Sequence, residues 1–180
     1  MTLIEYATKV LGGAFPTNKI EAGDMNEIKS AVNNNSNDSE LHLDAKFTGN
    51  TTPQTIGTDW VDITQEFTIN SANNFSYDAD TNSFVYDGVR AYLVRGEITY
   101  YAESAGNNQD IEFGLFIDTG AGFELVANTA FPYSFRLADS TQALIISFRE
   151  TMTADEKFKM RVRKPSGSSD FTFLSGKAMV

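Results

Sequence analysis

Cysteine is absent from the 180-residue chain and histidine occurs once, as His42. Without cysteine there is no disulfide framework, no thiol nucleophile and no thiolate metal ligand. With a single histidine, a Ser-His-Asp triad would have to be built on His42, and a zinc site lacks the His and Cys ligands it usually requires. Basic residues are also scarce: 14 Lys and Arg against 24 Asp and Glu give a net charge of -10. A field of that sign repels phosphate backbones and anionic lipid, so nucleic acid is not an expected partner. No apolar run approaches the ~20 residues of a membrane-spanning helix, so no membrane insertion is expected. Met1 to Ala14 carries Glu5 inside its only apolar stretch and lacks a basic start, which is unlike a secretory signal. The expectation is synthesis and assembly in a cytoplasm.

What is present is a chain rich enough in apolar residues to fold: 41% are hydrophobic and 14 are Phe. The first ~40 residues have helical periodicity. Thr2-Leu3-Ile4-Glu5 fits a capping box, followed by Leu3, Ala7, Val10, Leu11 and Ala14 at helical spacing. A second start, Asp24-Met25-Asn26-Glu27, leads a narrow seam of Met25, Ile28 and Val32. Such a short seam is marginal alone and needs copies of itself or another surface. Residues 1–40 are therefore read as a helical anchoring and trimerising segment. Residues 41–58, rich in Thr, Gly and Asn with Pro53, are read as an extended neck.

From residue 59 onward the period becomes two. About ten strands are expected, over residues 60–69, 75–78, 83–87, 91–102, 110–118, 123–128, 133–137, 142–150, 157–164 and 171–178, separated by short Gly/Asn/Ser/Asp turns. The connections are too short for parallel crossovers, so the fold class is mainly β, an antiparallel sandwich. Several strands carry large apolar residues on both faces: Leu93 and Tyr101, Phe116, Ile145, and the run Phe171-Thr172-Phe173-Leu174. A sandwich sheet buries one face, so the surplus predicts a second buried surface, an interface between copies. The candidate interface residues are Met25, Ile28, Val32, Tyr101, Phe116, Ile145, Phe171, Phe173 and Leu174.

Three further patterns bear on chemistry. Asp78-Ala79-Asp80-Thr81-Asn82 opens like a calcium loop, but position six is Ser83 and position twelve Val89, so a hairpin turn fits better. Residues 157–164 place Lys157, Lys159, Arg161 and Arg163 on one face of a strand. That face is either a solvated, charged edge or a partner for acids of a neighbouring subunit or an acidic glycan. Carboxylates are numerous, yet sequence does not bring any pair together as a glycosidase needs. The expectation is a protein that is not an enzyme and holds neither cofactor nor metal.

The order of these segments is familiar: Asp59-Trp60-Val61-Asp62-Ile63, the hairpin Phe75–Asp78 to Phe84–Gly88, the long strand Tyr92–Tyr101, then Ser104–Gln109 leading into Ile111–Ile117. Residues 59–180 resemble the tumour-necrosis-factor-like and complement-globular-head-like jelly rolls that form trimeric knobs on bacteriophage virion proteins. Lys19–Asn33 is similar to a short helical segment near the N-terminus of phage fibre and tail-appendage proteins. The resemblance implies a jelly-roll head in a homotrimeric virion protein, a head or tail fibre or spike. Such a protein would attach to a capsid or tail protein through residues 1–40 and present the head to a host-surface glycan or protein. Two alternatives stay open, a capsid-decoration protein that stabilises the particle and an extracellular lectin-like ligand.

Overall fold

A computed structural model describes residues 41–180, together with Asn26 and Lys29, both helical and exposed. The expected anchor, with Met25, Ile28 and Val32, otherwise lies outside the described residues. Leu41–Val180 forms one compact unit.

Its thirteen strands are β1 (His42–Thr48), β2 (Gln54–Ile56), β3 (Val61–Asp62), β4 (Thr68–Asn73), β5 (Phe75–Asp78), β6 (Ser83–Tyr86), β7 (Tyr92–Ser104), β8 (Gln109–Asp118), β9 (Phe123–Leu125), β10 (Phe131–Phe135), β11 (Gln142–Met152), β12 (Lys157–Arg163) and β13 (Ser169–Met179). They make two antiparallel sheets. Sheet A runs β11-β7-β13-β1-β4 with β2 beside β13; sheet B runs β10-β8-β12-β6-β5 with β3 beside β12 and β9 beside β8. Alternation drives the layering. Leu144, Ile146 and Phe148 of β11 and Val94, Ile98 and Tyr100 of β7 face Ile111, Phe113 and Leu115 of β8 and Phe158, Met160 and Val162 of β12, all within one core cluster.

The expected neck is not a neck. Residues 42–48 alternate, with Leu43, Ala45 and Phe47 buried, and β1 lies between β13 and β4 inside sheet A. Phe47 packs edge-on to Phe67 at 5.2 Å, and Ile56 of β2 is fully buried. The head therefore begins at residue 41 rather than 59. The surrounding Thr, Gly and Asn residues mask a strand one of whose partners, β13, lies more than a hundred residues away.

The single strand expected over residues 60–69 is two strands in different sheets: β3 pairs with β12 and β4 with β1. Between them the chain crosses the rim of the sandwich, and Ile63 and Phe67 point into the core as it does so. Gln54 holds this crossing. Its Nε2 donates to Asp62 O at 2.7 Å and its Oε1 accepts from Thr64 N at 3.2 Å.

In β13 the register shifts between Phe173 and Ser175, leaving Leu174 as the extra residue of a β-bulge. The bulge resets the alternation: Phe171 and Phe173 are inward before it, Gly176 and Ala178 after it. Phe171 and Phe173 are fully buried against Phe135 and Tyr100 at 5.3 and 5.9 Å. Neither is therefore available to a second copy. Leu174 is half-buried, and its carbonyl accepts from Asn50 N at 3.2 Å.

Candidate functional site

The two sheets differ in what they leave outside. On the outer face of sheet B, β12 aims Lys157, Lys159, Arg161 and Arg163 outward while Phe158, Met160 and Val162 face in. β12 is no edge strand, since it lies between β8 on one side and β6 and β3 on the other. Each basic side chain finds an acid of its own chain. Lys157 Nζ lies 2.6 Å from Asp78 Oδ2, Lys159 Nζ 2.8 Å from Asp62 Oδ2, Arg161 Nε 2.7 Å from Asp62 Oδ1, and Arg163 Nε 2.7 Å from Glu112 Oε2. Lys159, only 5% exposed, also donates to Thr81 O at 2.7 Å. The basic face, read from sequence as either a solvated edge or a partner for a neighbouring subunit or an acidic glycan, is neutralised by acids of its own subunit.

Aromatic rings complete this closure. Lys159 sits 3.9 Å above the Phe123 ring centroid, Arg161 5.1 Å from that of Phe116, and Arg163 4.7 Å from that of Trp60. Phe116 does point outward, as its place in the alternation requires, yet it is 4% exposed. Trp60 packs against it at 5.2 Å, and Leu125 of β9 stands opposite it in the ladder. Phe116 is therefore part of a small second core inside the subunit and is corrected as an interface candidate. Gly114 makes room for that core, since a Cβ there would lie 2.6 Å from Leu125 Cδ1 and 3.4 Å from the Trp60 ring.

Three side chains of this region are electrostatically tuned. Hydrogen bonds from Lys157 and Thr81 hold the Asp78 carboxyl well below the usual carboxylate range, and the same pairing raises Lys157. Asp118 is lowered by the backbone amides of Gly120 and Gly122. Asp78 Oδ1 accepts from the amides of Asp80 and Thr81, and Asn82 has a φ of 50°. This is the side-chain-to-backbone pattern of a tight hairpin turn joining β5 and β6, in agreement with the turn reading of this motif.

The outer face of sheet A is left open. Read across β11, β7, β13 and β1, its rows are Ala143-Tyr101-Ser175-Thr48, then Ile145-Thr99-Lys177-Lys46, then Ser147-Glu97-Met179-Asp44, and finally Arg149 beside Arg95. Tyr101 is 45% exposed and Ile145 43%, the two large apolar side chains of adjacent rows. Of the expected interface residues in the head, these two and the half-buried Leu174 remain accessible. Sequence reasoning did not single out Phe131, the first residue of the edge strand β10, or Leu137 just past its other end, exposed by 43% and 65%. Their signal was an apolar side chain next to a turn, which is weak.

His42 lies at the start of β1, exposed, with Nε2 2.7 Å from Ser71 Oγ. Among the described residues no acid is bonded to the ring, so the third member of a triad is not assembled there.

No family model matches the chain, and no curated protein matches it. Solved structures do. The Eiger tumour necrosis factor of S. frugiperda is 13% identical with a TM-score of 0.53, over 78% of this chain and 92% of that one. The globular domain of a zebrafish complement 1qA protein is 11% identical with a TM-score of 0.46, over 77% and 95%. At these identities the likeness to the tumour necrosis factor establishes one thing, the fold: residues 41–180 are a jelly roll of that type.

Proposed function

We propose that the chain is a non-enzymatic binding protein that works as a homotrimer, its copies joined through the outer face of sheet A. The observation that carries this reading is the contrast between the two sheets. On sheet B the outward Phe116 is buried beside Trp60 and Leu125, whereas on sheet A the outward Tyr101 and Ile145 are uncovered. A three-fold ring joins two different patches of each copy. The face holding Tyr101 and Ile145 and the edge holding Phe131 and Leu137 are two such patches. The occupant of the Tyr101-Ile145 patch is thus a second copy of the same chain.

The trimeric jelly-roll resemblance and the helical signature of residues 19–33 extend the proposal to a virion protein, a head or tail fibre or spike. Residues 1–40 attach it to a capsid or tail protein, and the head meets the host surface. This finer role rests on the sequence resemblance; the comparisons with known proteins carry the fold and no further. Native mass spectrometry of the full chain tests the assembly: a single species at three times the 19.8 kDa chain mass is expected, and a monomer at micromolar concentration would refute it. Particles stripped of the protein test the role. Lost adsorption supports a host-binding head, and intact adsorption with lowered particle stability points instead to decoration.

A further inference from the structure

The same face carries a second feature, and it is electrostatic. Arg95 and Arg149 stand directly opposite each other on β7 and β11, both exposed. Cross-strand partners have Cβ atoms about 4.5–5.5 Å apart, and like charges so placed oppose folding. Among the described residues neither guanidinium has an acid within ion-pair distance, in a chain whose net charge is -10. The contrast with β12 is sharp, because there every outward cation meets a carboxylate. The nearest carboxylate on the same face of the ladder, Glu97, turns to hydroxyls instead: its oxygens accept from Thr99 Oγ1 and Ser147 Oγ, each at 3.3 Å.

The two arginines border an open depression of about 580 Å³, which Glu97, Ser147, Gly96 and Met179 also line. Gly96, at the edge of the depression, makes room for the Phe148 ring beneath it. A Cβ there would come within 2.6 Å of the Phe148 ring and 2.9 Å of Met179 O. Val180 lies at the border with its amide and carbonyl both taken up by Leu43. The lining thus offers a paired fork of guanidinium donors, a carboxylate and a hydroxyl as acceptors, and an apolar patch at Met179.

We propose that this depression binds a sugar acid, with Arg95 and Arg149 holding its carboxylate. The chemistry selects that class. Two guanidiniums suit a planar, bidentate carboxylate. Glu97 and Ser147 suit ligand hydroxyls, and Glu97 disfavours a dianionic phosphate. Met179 suits the C–H face of a pyranose ring. The arginine row lies about 13–14 Å along the strand from the Ile145-Thr99 row, with Glu97 and Ser147 between the two, so the site adjoins the self-association patch but contains neither Tyr101 nor Ile145.

The test is a titration of the full chain with glucuronate and N-acetylneuraminate, followed by amide NMR shifts, with glucose and acetate as controls. Binding of about millimolar affinity is expected, centred on Arg95, Gly96 and Arg149 and weakened by salt. Arg95→Gln and Arg149→Gln should each weaken it at least tenfold, with the assembled mass unchanged. Glucose binding equally well, acetate binding as tightly as the sugar acids, or binding indifferent to both substitutions would each overturn the proposal. So would loss of the trimer in Arg95→Gln together with no sugar-acid response, which would assign the arginines to a second copy. The mass readout keeps a failure of this site distinct from a failure of the homotrimer.

Discussion

Asp62→Asn is the sharpest probe of the closed face of sheet B. Asp62 serves two cations at once, Lys159 at 2.8 Å and Arg161 at 2.7 Å. Lys159 has only 5% of its side chain exposed, and without Asp62 its ammonium keeps a single protein acceptor, Thr81 O. Breaking a fully buried pair costs about 3–5 kcal/mol. Asp62 is itself 38% exposed, so water can re-solvate part of the site, and we expect about 1–3 kcal/mol. Glu112→Gln should cost less than about 1 kcal/mol, because Arg163 is 39% exposed and keeps its place over Trp60. Urea unfolding at pH 7 gives both values, read as shifts of midpoint at constant slope. A double-mutant cycle of Asp62→Asn with Lys159→Met should return a coupling of about 1–2 kcal/mol. If Asp62→Asn cost no more than Glu112→Gln, or the coupling were nil, Lys159 would be solvated and the face open.

Three further outcomes follow from the packing. Gly114→Ala brings a Cβ within 2.6 Å of Leu125 Cδ1, the movable tip of an exposed side chain, so a loss of about 1 kcal/mol at most with altered Trp60 fluorescence is expected; unaltered fluorescence would mean β9 does not cover that position. Phe173→Ala should cost about 3–5 kcal/mol while Thr172→Ala, on the other face, is nearly silent, and equal effects would contradict the register around Leu174. The Asp78 carboxyl is lowered in the folded chain by Lys157 and Thr81. Its stabilisation is therefore full above the unfolded carboxylate value of about 4 and is lost as pH falls below it. The stability difference between wild type and Asp78→Asn should shrink steadily from pH 5 to pH 2, and a constant difference would sink the assignment.

The sequence was most legible where neighbours in the chain are neighbours in the fold. The Asp78–Ser83 turn, the strand beginning at Tyr92 and the inward set of β8 follow from local alternation, and the structure agrees with each. β1 was hidden because its partners, β13 and β4, supply the context that makes a Thr-rich segment a strand. Phe116 was placed correctly on the outer face, but its cover, Trp60 and Leu125, comes from segments that periodicity cannot connect to it. Phe171 and Phe173 were misjudged for a related reason: with Leu174 beside them the run is apolar on both faces, and the bulge that makes Leu174 an extra residue is set by the pairing with β7. The basic strand shows the same limit, since its charges are visible in sequence while Asp62, Asp78 and Glu112 are matched to them only by the ladder. Tyr101 and Ile145, by contrast, were identifiable because nothing distant covers them.

The central claim is that the open face of sheet A joins copies of this chain. Sedimentation equilibrium of the wild type and of Ile145→Glu tests it most directly, since Ile145 is 43% exposed and outside the core. The wild type should sediment at three times 19.8 kDa and the variant at one chain mass, with unchanged β circular dichroism. A trimer unaffected by Ile145→Glu would contradict this account.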